Sequence, residues 1–435
     1  MQQVNLGMIG GGTVGSGVFH AWQTNGGLMA ARLGVKLVFR RVAVKSFDEP
    51  RPYPIARELL TTDWQEVVND AEIHVVIELV GGTGIAKTMV LAALARGKTV
   101  VTANKALLSA HGKELFAAAA KSGANLYYEA SVCGGIPIIK SLREGFVANQ
   151  FPAIYGIVNG TCNYILSRMK AEGAEFADVL ADAQKHGYAE TPPDLDIDGF
   201  DAQHKIGILA SLAHGFWVDH HQIHTEGIRD VSKIDMEFAE KLGYTIKLLG
   251  IAKQISAKKP GVQVSVYPTL IPNAHVLASV NGVFNACFVQ GDIVGDTLFY
   301  GRGAGKDATA SAVLSDVADA ALDLKNNAKT RVLPFVAHAW NGRVVPMDDI
   351  VSRYYVRFSV VDKPGVLAKI SAIFAAAKIG ISSVIQPEGH AGESVPLILM
   401  IHDASNAAMR KALAKISRLP VVKAKPVMFR VESFD

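Results

Sequence analysis

Short apolar runs alternate with stretches of helical periodicity through the first 130 residues. Val4–Ile9 is almost wholly apolar and gives way to Gly10-Gly11-Gly12-Thr13-Val14-Gly15, after which a helical pattern runs through Val18, Trp22 and Leu28. Val35–Val44 reads as a second strand and Ile73–Val80 as a buried third. Ile85–Arg96 follows as helix, Lys98–Ala103 as strand, Lys113–Ser122 as helix and Asn125–Glu129 as strand. Apolar strands separated by helices predict a parallel, doubly wound sheet covered on both faces, with ligands at the carboxyl ends of its strands.

Beyond Glu129 the pattern loosens. ASVCGGIPIIKSLREGF runs from glycines into a helical segment, AIYGIVNGTCNYILSRM reads as strand-like, and Phe176–His186 as a helix broken by Gly187–Pro193. Pro192 and Pro193 hold the next loop extended, and DLDIDGF then enters a helix, DAQHKIGILASLAH. Lys325–Ile350 is irregular. Strands are predicted at Tyr354–Val361, Ile381–Gln386, Val395–Ile401 and Val427–Val431, with helices at Val366–Lys378 and Ala404–Arg418. This βαββαβ order is that of a ferredoxin-like module. The expected domains are 1–130 with about 302–330 returning to it, an α+β catalytic and dimerisation domain at 131–301, a linker at 331–350 and the module at 351–435.

Composition changes this picture little. A chain of 435 residues exceeds one compact core, and 49% hydrophobic with 19% charged residues is ordinary globular usage. The basic residues behind the net charge of +4 are spread along the chain, which gives nucleic-acid or membrane-surface binding little support. Cys133, Cys162 and Cys287 are widely spaced without a CxxC, against a disulfide framework or a zinc site and in keeping with a reducing compartment. MQQVNLGMIGGG enters a strand with no basic leader, and no apolar run reaches the roughly 18 residues of a membrane helix. A cytoplasmic protein is expected.

Candidate chemistry begins at the glycine turn. Gly10, Gly12 and Gly15 fit GxGxxG between a strand and a helix, where they let the backbone approach a pyrophosphate facing the helix N-terminus. This is the signature of a Rossmann-type dinucleotide-binding domain. An acid at the end of the second strand would hold the ribose of NAD; RRVAVKSF has Lys45 there instead, with Arg40, Arg41 and Arg51 nearby. A cation suits a 2′-phosphate, so NADP(H) is expected ahead of NAD(H); the alternative is a solvated basic edge. VTANKALL puts Asn104 and Lys105 just past a strand end, either beside the reacting substrate or simply in a solvated loop.

The stretch DLDIDGFDAQHK, Asp194–Lys205, is the most charged in the middle of the chain. Asp194, Asp196, Asp198 and Gly199 begin like a calcium loop, but position twelve is Lys205 where a bidentate glutamate is required. Asp201 and Lys205 share one helix face whose continuation is Ile208, Leu209 and Leu212. Either the two form a simple helix pair, or they face inward as catalytic groups. In the second case the lysine exchanges a proton with a carbonyl oxygen and the carboxylates hold an ammonium group.

Several motifs carry a resemblance. VVTANKALL, YEASVCGGIPIIK, NGTCNYILSRM, the spacing AxxxGYAExxPxxDxxGxDxxxK from Ala183 to Lys205, TEGIRDV, LIPNAHVLASVNGVFNA and LFYGRGAGKDATASAV occur in order. Across residues 4–350 the chain resembles the homoserine dehydrogenase family. The resemblance implies reversible reduction of L-aspartate 4-semialdehyde to L-homoserine, in threonine, methionine and isoleucine biosynthesis. It implies Lys205 as general acid/base with Asp201 beside it, Lys105 as a second lysine at the carbonyl, and Glu190, Asp196 and Asp201 as substrate carboxylates. Thr13 and Val14 would sit in the pyrophosphate turn, Gly187 and Gly303 would line the cofactor, and a sodium ion would lie on Glu129 with carbonyls of Val132, Gly134 and Ile136. Pro192 departs from the family pattern beside Glu190. The chain opens directly on its first strand, which implies the form without an aspartate kinase segment.

The C-terminal module, through YYVRFSVVDKPGVLAKISAIF, resembles an ACT domain. That implies binding of a pathway end product, threonine, at a module interface near the Gly365 turn; the alternative is a purely structural dimerisation module. Edge pairing of such modules implies a homodimer or homotetramer. Two rivals remain: another NAD(P)-dependent amino acid oxidoreductase on this fold, and a non-enzymatic sensor of NADP(H) and an amino acid.

Overall fold

The computed structural model describes residues 1–255, 260–328, 331–339, 342–387 and 394–434. In chain order the first elements are β1 (Gln2–Ile9), α1 (Thr13–Leu33), β2 (Val35–Ala43), β3 (Leu60–Thr61), α2 (Trp64–Asn69), β4 (Val75–Glu78), α3 (Ile85–Ala95), β5 (Thr99–Thr102), α4 (Lys105–Ser122), β6 (Leu126–Tyr127) and a one-turn α5 (Ile138–Lys140). There follow β7 (Ala153–Ile157), α6 (Gly160–Glu172), α7 (Phe176–Lys185), α8 (Asp194–Ile197), α9 (Phe200–His214), β8 (His224–Thr225), α10 (Lys233–Lys241), β9 (Tyr244–Ile255) and β10 (Gly261–Pro272). The last are β11 (Phe284–Gly291), β12 (Gly295–Arg302), α11 (Lys306–Lys325), β13 (Val351–Val361), α12 (Val366–Ala376), β14 (Ile381–Ile385), β15 (Ser394–Ser405), α13 (Asn406–Ile416) and β16 (Val427–Val431). They fall into two compact units: Met1–Ile154 with His204–His221 and Asn285–Arg343, and Tyr155–Gln203 with Gln222–Phe284 and Val344–Asp435. No helix among the described residues is long and apolar enough to cross a membrane.

In the first unit a parallel sheet runs in the order β3-β2-β1-β4-β5-β6, the Rossmann-type arrangement the alternation predicts. Its central strands are buried on both faces, and Val4, Leu6 and Met8 pack with Phe19 of α1, Phe39 of β2, and Val313 and Val317 of α11. Two elements depart from expectation. Helix α4 starts at Lys105, not Lys113, because Asn104 caps it by accepting from the Leu107 amide at 3.0 Å. Gly112 does not break that helix; a Cβ there would lie 2.3 Å from the Trp217 ring, so glycine is needed for packing. The expected strand Asn125–Glu129 shrinks to Leu126–Tyr127 and turns into a 3-10 helix at Glu129–Ser131.

In the second unit the strands run β7-β9-β10-β16-β13-β15-β14, with β8 beside β10. The β9–β10 pair is a twelve-residue antiparallel ladder, and Val262–Ile271 is buried throughout, so both faces of β10 are covered. The strand-like reading of AIYGIVNGTCNYILSRM holds only to Ile157: Asn159 caps α6, accepting from the Cys162 amide at 2.8 Å. The DLDI segment, expected as extended loop, is the one-turn α8.

The C-terminal elements β13-α12-β14-β15-α13-β16 have the expected order around Phe358, Ile370, Phe374, Leu399 and Met409. Strand β16 pairs antiparallel with β13 and parallel with β10, through Thr269↔Arg430 and Leu270↔Val431. One edge of the module is therefore filled by its own chain. Of the expected linker 331–350, residues 340 and 341 lie outside the described residues; Pro346 leads into a 3-10 turn at Met347–Asp349.

Candidate active site

Strand β1 ends at Ile9 and helix α1 starts four residues later, so the glycines carry the whole turn. Gly10 has φ +106°, and a Cβ on it would stand 2.6 Å from the Leu79 carbonyl; one on Gly15 would stand 2.0 Å from the Gly10 carbonyl. Side chains are thereby excluded at Gly10 and Gly15. Gly12 gives α1 no side-chain cap and its first turn has no acid, so the amides around Thr13 and Val14 begin a 21-residue helix with their positive end uncompensated. That fits a dinucleotide pyrophosphate.

The basic residues divide. Arg40 and Arg41 reach Asp70 and Glu66 at 3.4 Å each, and Arg40 lies within β2 rather than at its carboxyl end. Arg51 folds back on the carbonyls of Ser46 and Phe47, at 2.9 and 3.1 Å. Lys45 alone of the expected pair stands exposed just past the end of β2. The wall of the turn also holds Glu78, a buried carboxylate overlooked in the sequence. It accepts from the amides of Val80 and Gly81 and, at 2.7 Å, from Thr102 Oγ1, while Asn104 Nδ2 donates to the Gly82 carbonyl. This network sets the start of α4, so Lys105 is the first residue of a helix and not part of a free loop.

Farther along the same unit, Glu129 is buried, with its oxygens accepting from the Ile139 and Lys140 amides at 2.9 and 2.7 Å. Burial pushes its carboxyl up to about 7, against those two amides and the charges of Arg143 and Lys140. The Ile136 carbonyl accepts from the Ile138 amide. Gly134 has φ +54°, and a Cβ on it would lie 2.6 Å from the Gly303 carbonyl, so the expected cation loop and an expected cofactor glycine meet. Buried carboxylate and crowded backbone carbonyls are a donor set that fits a hard monovalent cation. Cys133 and Cys287 lie beneath, sulfur to sulfur 3.4 Å and both buried. The hydrogen bond with Cys133 and burial hold the Cys287 thiol well above its usual range, and the charge of Lys205 pulls the other way. Lys205 itself, one turn after Asp201 on α9, is 8% exposed.

In the second unit the four aspartates separate into two functions. Arg229 grips Asp194 and, with Nε at 2.5 Å, Asp198, which pins both ends of α8 at the surface. Asp196 and Asp201 turn the other way. Asn159 Nδ2 donates to Asp196 Oδ1 at 2.7 Å and to Asp201 Oδ2 at 2.9 Å. The residues after Asn159 add to the grip: Thr161 Oγ1 donates to the Tyr188 carbonyl at 2.6 Å, and Cys162 Sγ to the Asp196 carbonyl at 3.2 Å. The NGTC segment thus positions both the acidic helix and the GYAE turn. Glu190 and Gly187 are exposed on that turn, where the Gln184 amide donates to the Glu190 carbonyl and the Thr191–Pro192 peptide is cis. In sequence Asn159 shows no role, because an N-cap asparagine with both amide protons spent on carboxylates leaves no signal beyond its motif.

Residues 10–129 match the homoserine dehydrogenase NAD binding domain, 137–318 homoserine dehydrogenase, and 354–419 the ACT domain. The homoserine dehydrogenase of Pseudomonas aeruginosa is 41% identical over 442 residues, spanning the whole of both chains. A solved homoserine dehydrogenase from Thiobacillus denitrificans superimposes with a TM-score of 0.93 at 41% identity, covering 100% of this chain and 99% of the other. A hyperthermophilic archaeal homoserine dehydrogenase solved in complex with NADPH has a TM-score of 0.62 at 25% identity, covering 76% of this chain and 100% of its own.

Proposed function

The chain belongs to the homoserine dehydrogenase family, and from that premise we propose how its residues divide the work of an NAD(P)-dependent oxidoreductase and its control. The substrate is L-aspartate 4-semialdehyde in one direction and L-homoserine in the other, on the route to threonine, methionine and isoleucine. Asp196 and Asp201 hold the substrate's α-ammonium, and Glu190 closes over it from the exposed GYAE turn. Lys205 gives its proton to the C4 oxygen during reduction and takes it back during oxidation, while Lys105 steadies that oxygen. The bound nicotinamide supplies or accepts the hydride at C4.

The observation that carries this reading is the shared Asn159 amide. Two carboxylates gathered on one side-chain amide are complementary to the ammonium of an amino acid. NADP(H) is the preferred cofactor, an assignment supported by Lys45 at the end of β2 and by the relative solved with NADPH. Glu129 with the carbonyls of Val132, Gly134 and Ile136 holds a monovalent cation, sodium. Threonine acts through the ACT domain near Gly365, and the enzyme works as a homodimer or homotetramer in the cytoplasm.

Steady-state oxidation of homoserine, followed with NADP and with NAD, tests the assignment when Lys205→Ala is measured beside the unaltered chain. Turnover that collapses in the variant while cofactor still binds supports it. Equal turnover in both moves the proton to Lys105, and no turnover with homoserine leaves another amino acid oxidoreductase.

A further inference from the structure

Asn285 stands on β11 of the first unit, two residues before Cys287 and so on the same face of the strand. It is 1% exposed. Among the described residues it is the only buried side-chain amide that leaves both its donor and its acceptor, Nδ2 and Oδ1, without a hydrogen-bond partner. An unpaired buried amide is costly, and a leucine of nearly the same size would cost less. What the amide touches is Gly303. A Cβ on that glycine would stand 1.9 Å from Asn285 Cγ and Nδ2 and 2.4 Å from Oδ1, so the amide fills the place of the side chain that Gly303 lacks.

Gly303 opens the short run Gly303-Ala304-Gly305 that leads into α11. One end of this run lies on the candidate cation loop: the Arg302 carbonyl accepts from the Gly135 amide at 3.2 Å, and Gly134 crowds the Gly303 carbonyl. The other end reaches the helix that follows the pyrophosphate turn, where a Cβ on Gly17 of α1 would stand 3.0 Å from the Lys306 carbonyl. Gly305 itself has φ +113° and gives α11 no side-chain cap. On the strand beneath, Cys287 feels the charge of Lys205. Asn285 therefore backs a stretch of main chain that joins the places where the nicotinamide dinucleotide and the reacting carbonyl would lie.

We propose that Asn285 is a positioning residue for the nicotinamide cofactor, acting through Gly303. When the cofactor binds, the 303–305 run settles so that one of its backbone groups pairs with the Asn285 amide, and the run is held against the cofactor. The free chain carries the cost of the unpaired amide and the loaded chain recovers it. Part of the cofactor's binding energy thus depends on where Gly303 sits, which is how a residue behind the loop can set the placement of a ring in front of it. The inference rests on the reading of Gly303 as a cofactor glycine and adds to it the side chain that makes its position matter.

Asn285→Leu separates this role from a purely structural one. Without cofactor, the variant's Tm should equal or exceed that of the unaltered chain, because an unpaired amide is removed. Isothermal titration calorimetry of the full chain with NADP and with NAD, in the absence of homoserine, should show the tighter of the two bound about tenfold more weakly by the variant. Hydrogen exchange at the amides of 303–305 should slow when that cofactor is added to the unaltered chain, and the slowing should be lost in the variant. A lower Tm with affinity within about twofold would mean that the amide is already satisfied, by a buried water for instance, and overturns the proposal. So does unchanged exchange at 303–305 in the unaltered chain, a result that needs no variant to fold. If the unaltered chain binds neither cofactor, the catalytic reading falls and this inference with it; if it binds and the variant binds equally well, this inference falls alone.

Discussion

Asp196 and Asp201 meet on a single donor, the side-chain amide of Asn159, at 2.7 and 2.9 Å. The same asparagine caps α6 through its oxygen, so one residue starts a helix and gathers two carboxylates. Asn159→Asp keeps an acceptor for the cap and replaces the donor with a third negative charge. We expect kcat/KM for homoserine to fall about 100-fold or more, mostly through KM, and Tm to fall as well, because three carboxylates then crowd one buried point even though the cap survives. Asn159→Ala should add a loss of about 1 kcal/mol in stability from the missing cap. Equal kinetics in Asn159→Asp and the unaltered enzyme would show that the carboxylates need no shared donor.

The acidic stretch should separate the same way under substitution. Asp194 is exposed and paired with Arg229, a surface contact of about 0–1 kcal/mol, so Asp194→Asn should keep kcat/KM within roughly threefold. Asp196→Asn and Asp201→Asn should each lose roughly 100-fold or more, as expected where a charge-assisted contact to substrate is removed. Similar losses at all three positions would mean that the stretch acts through its net charge.

Cofactor choice should respond to Lys45 and not to Arg40. Lys45→Glu puts an acid where a ribose 2′-hydroxyl would be recognised, and the ratio of kcat/KM for NADP over NAD should drop about tenfold or more. Arg40 is held by Asp70 within β2, so Arg40→Ala should leave that ratio within about twofold. A ratio that moves with Arg40 and ignores Lys45 would place the 2′-phosphate elsewhere.

Much of the fold was legible because both sheet types write strong patterns. Buried parallel strands write apolar runs such as Val75–Ile77 in β4, and the βαββαβ order of the module follows from its turn chemistry at Asp362–Gly365. What stayed hidden depended on contacts distant in sequence. Gly112 looks like a helix breaker until Trp217 packs on it, and Asn159 looks like part of a strand until it caps a helix. In the β9–β10 ladder both faces are covered, so even the polar positions of its alternating VQVSV run, Gln263 and Ser265, are buried. In the acidic stretch the residue types pointed to chemistry, but only Arg229 and Asn159 reveal that alternate aspartates serve different partners. Arg40 and Lys45 are indistinguishable cations in sequence; Asp70, just past the end of α2, pairs with Arg40 and separates them.

A last consequence concerns Lys247, which is 1% exposed in β9 and donates to Asn163, Asn281 and the Val280 carbonyl, with no carboxylate among these acceptors. Burial, reinforced by Lys170, pulls its ammonium down to about 7 from the ordinary 10.5. Between those values the unfolded chain keeps a proton that the folded chain releases, so the unfolded state binds more protons and stability rises with pH. Below about pH 7 both states carry the proton and the burial penalty is complete. Lys247→Met removes the titration. Urea denaturation at intervals from about pH 6.5 to 9.5 should therefore show the unaltered chain gaining roughly 2–4 kcal/mol more over that span than the variant does. Parallel curves would mean that Lys247 stays protonated in the folded protein, its charge carried by the three oxygens alone.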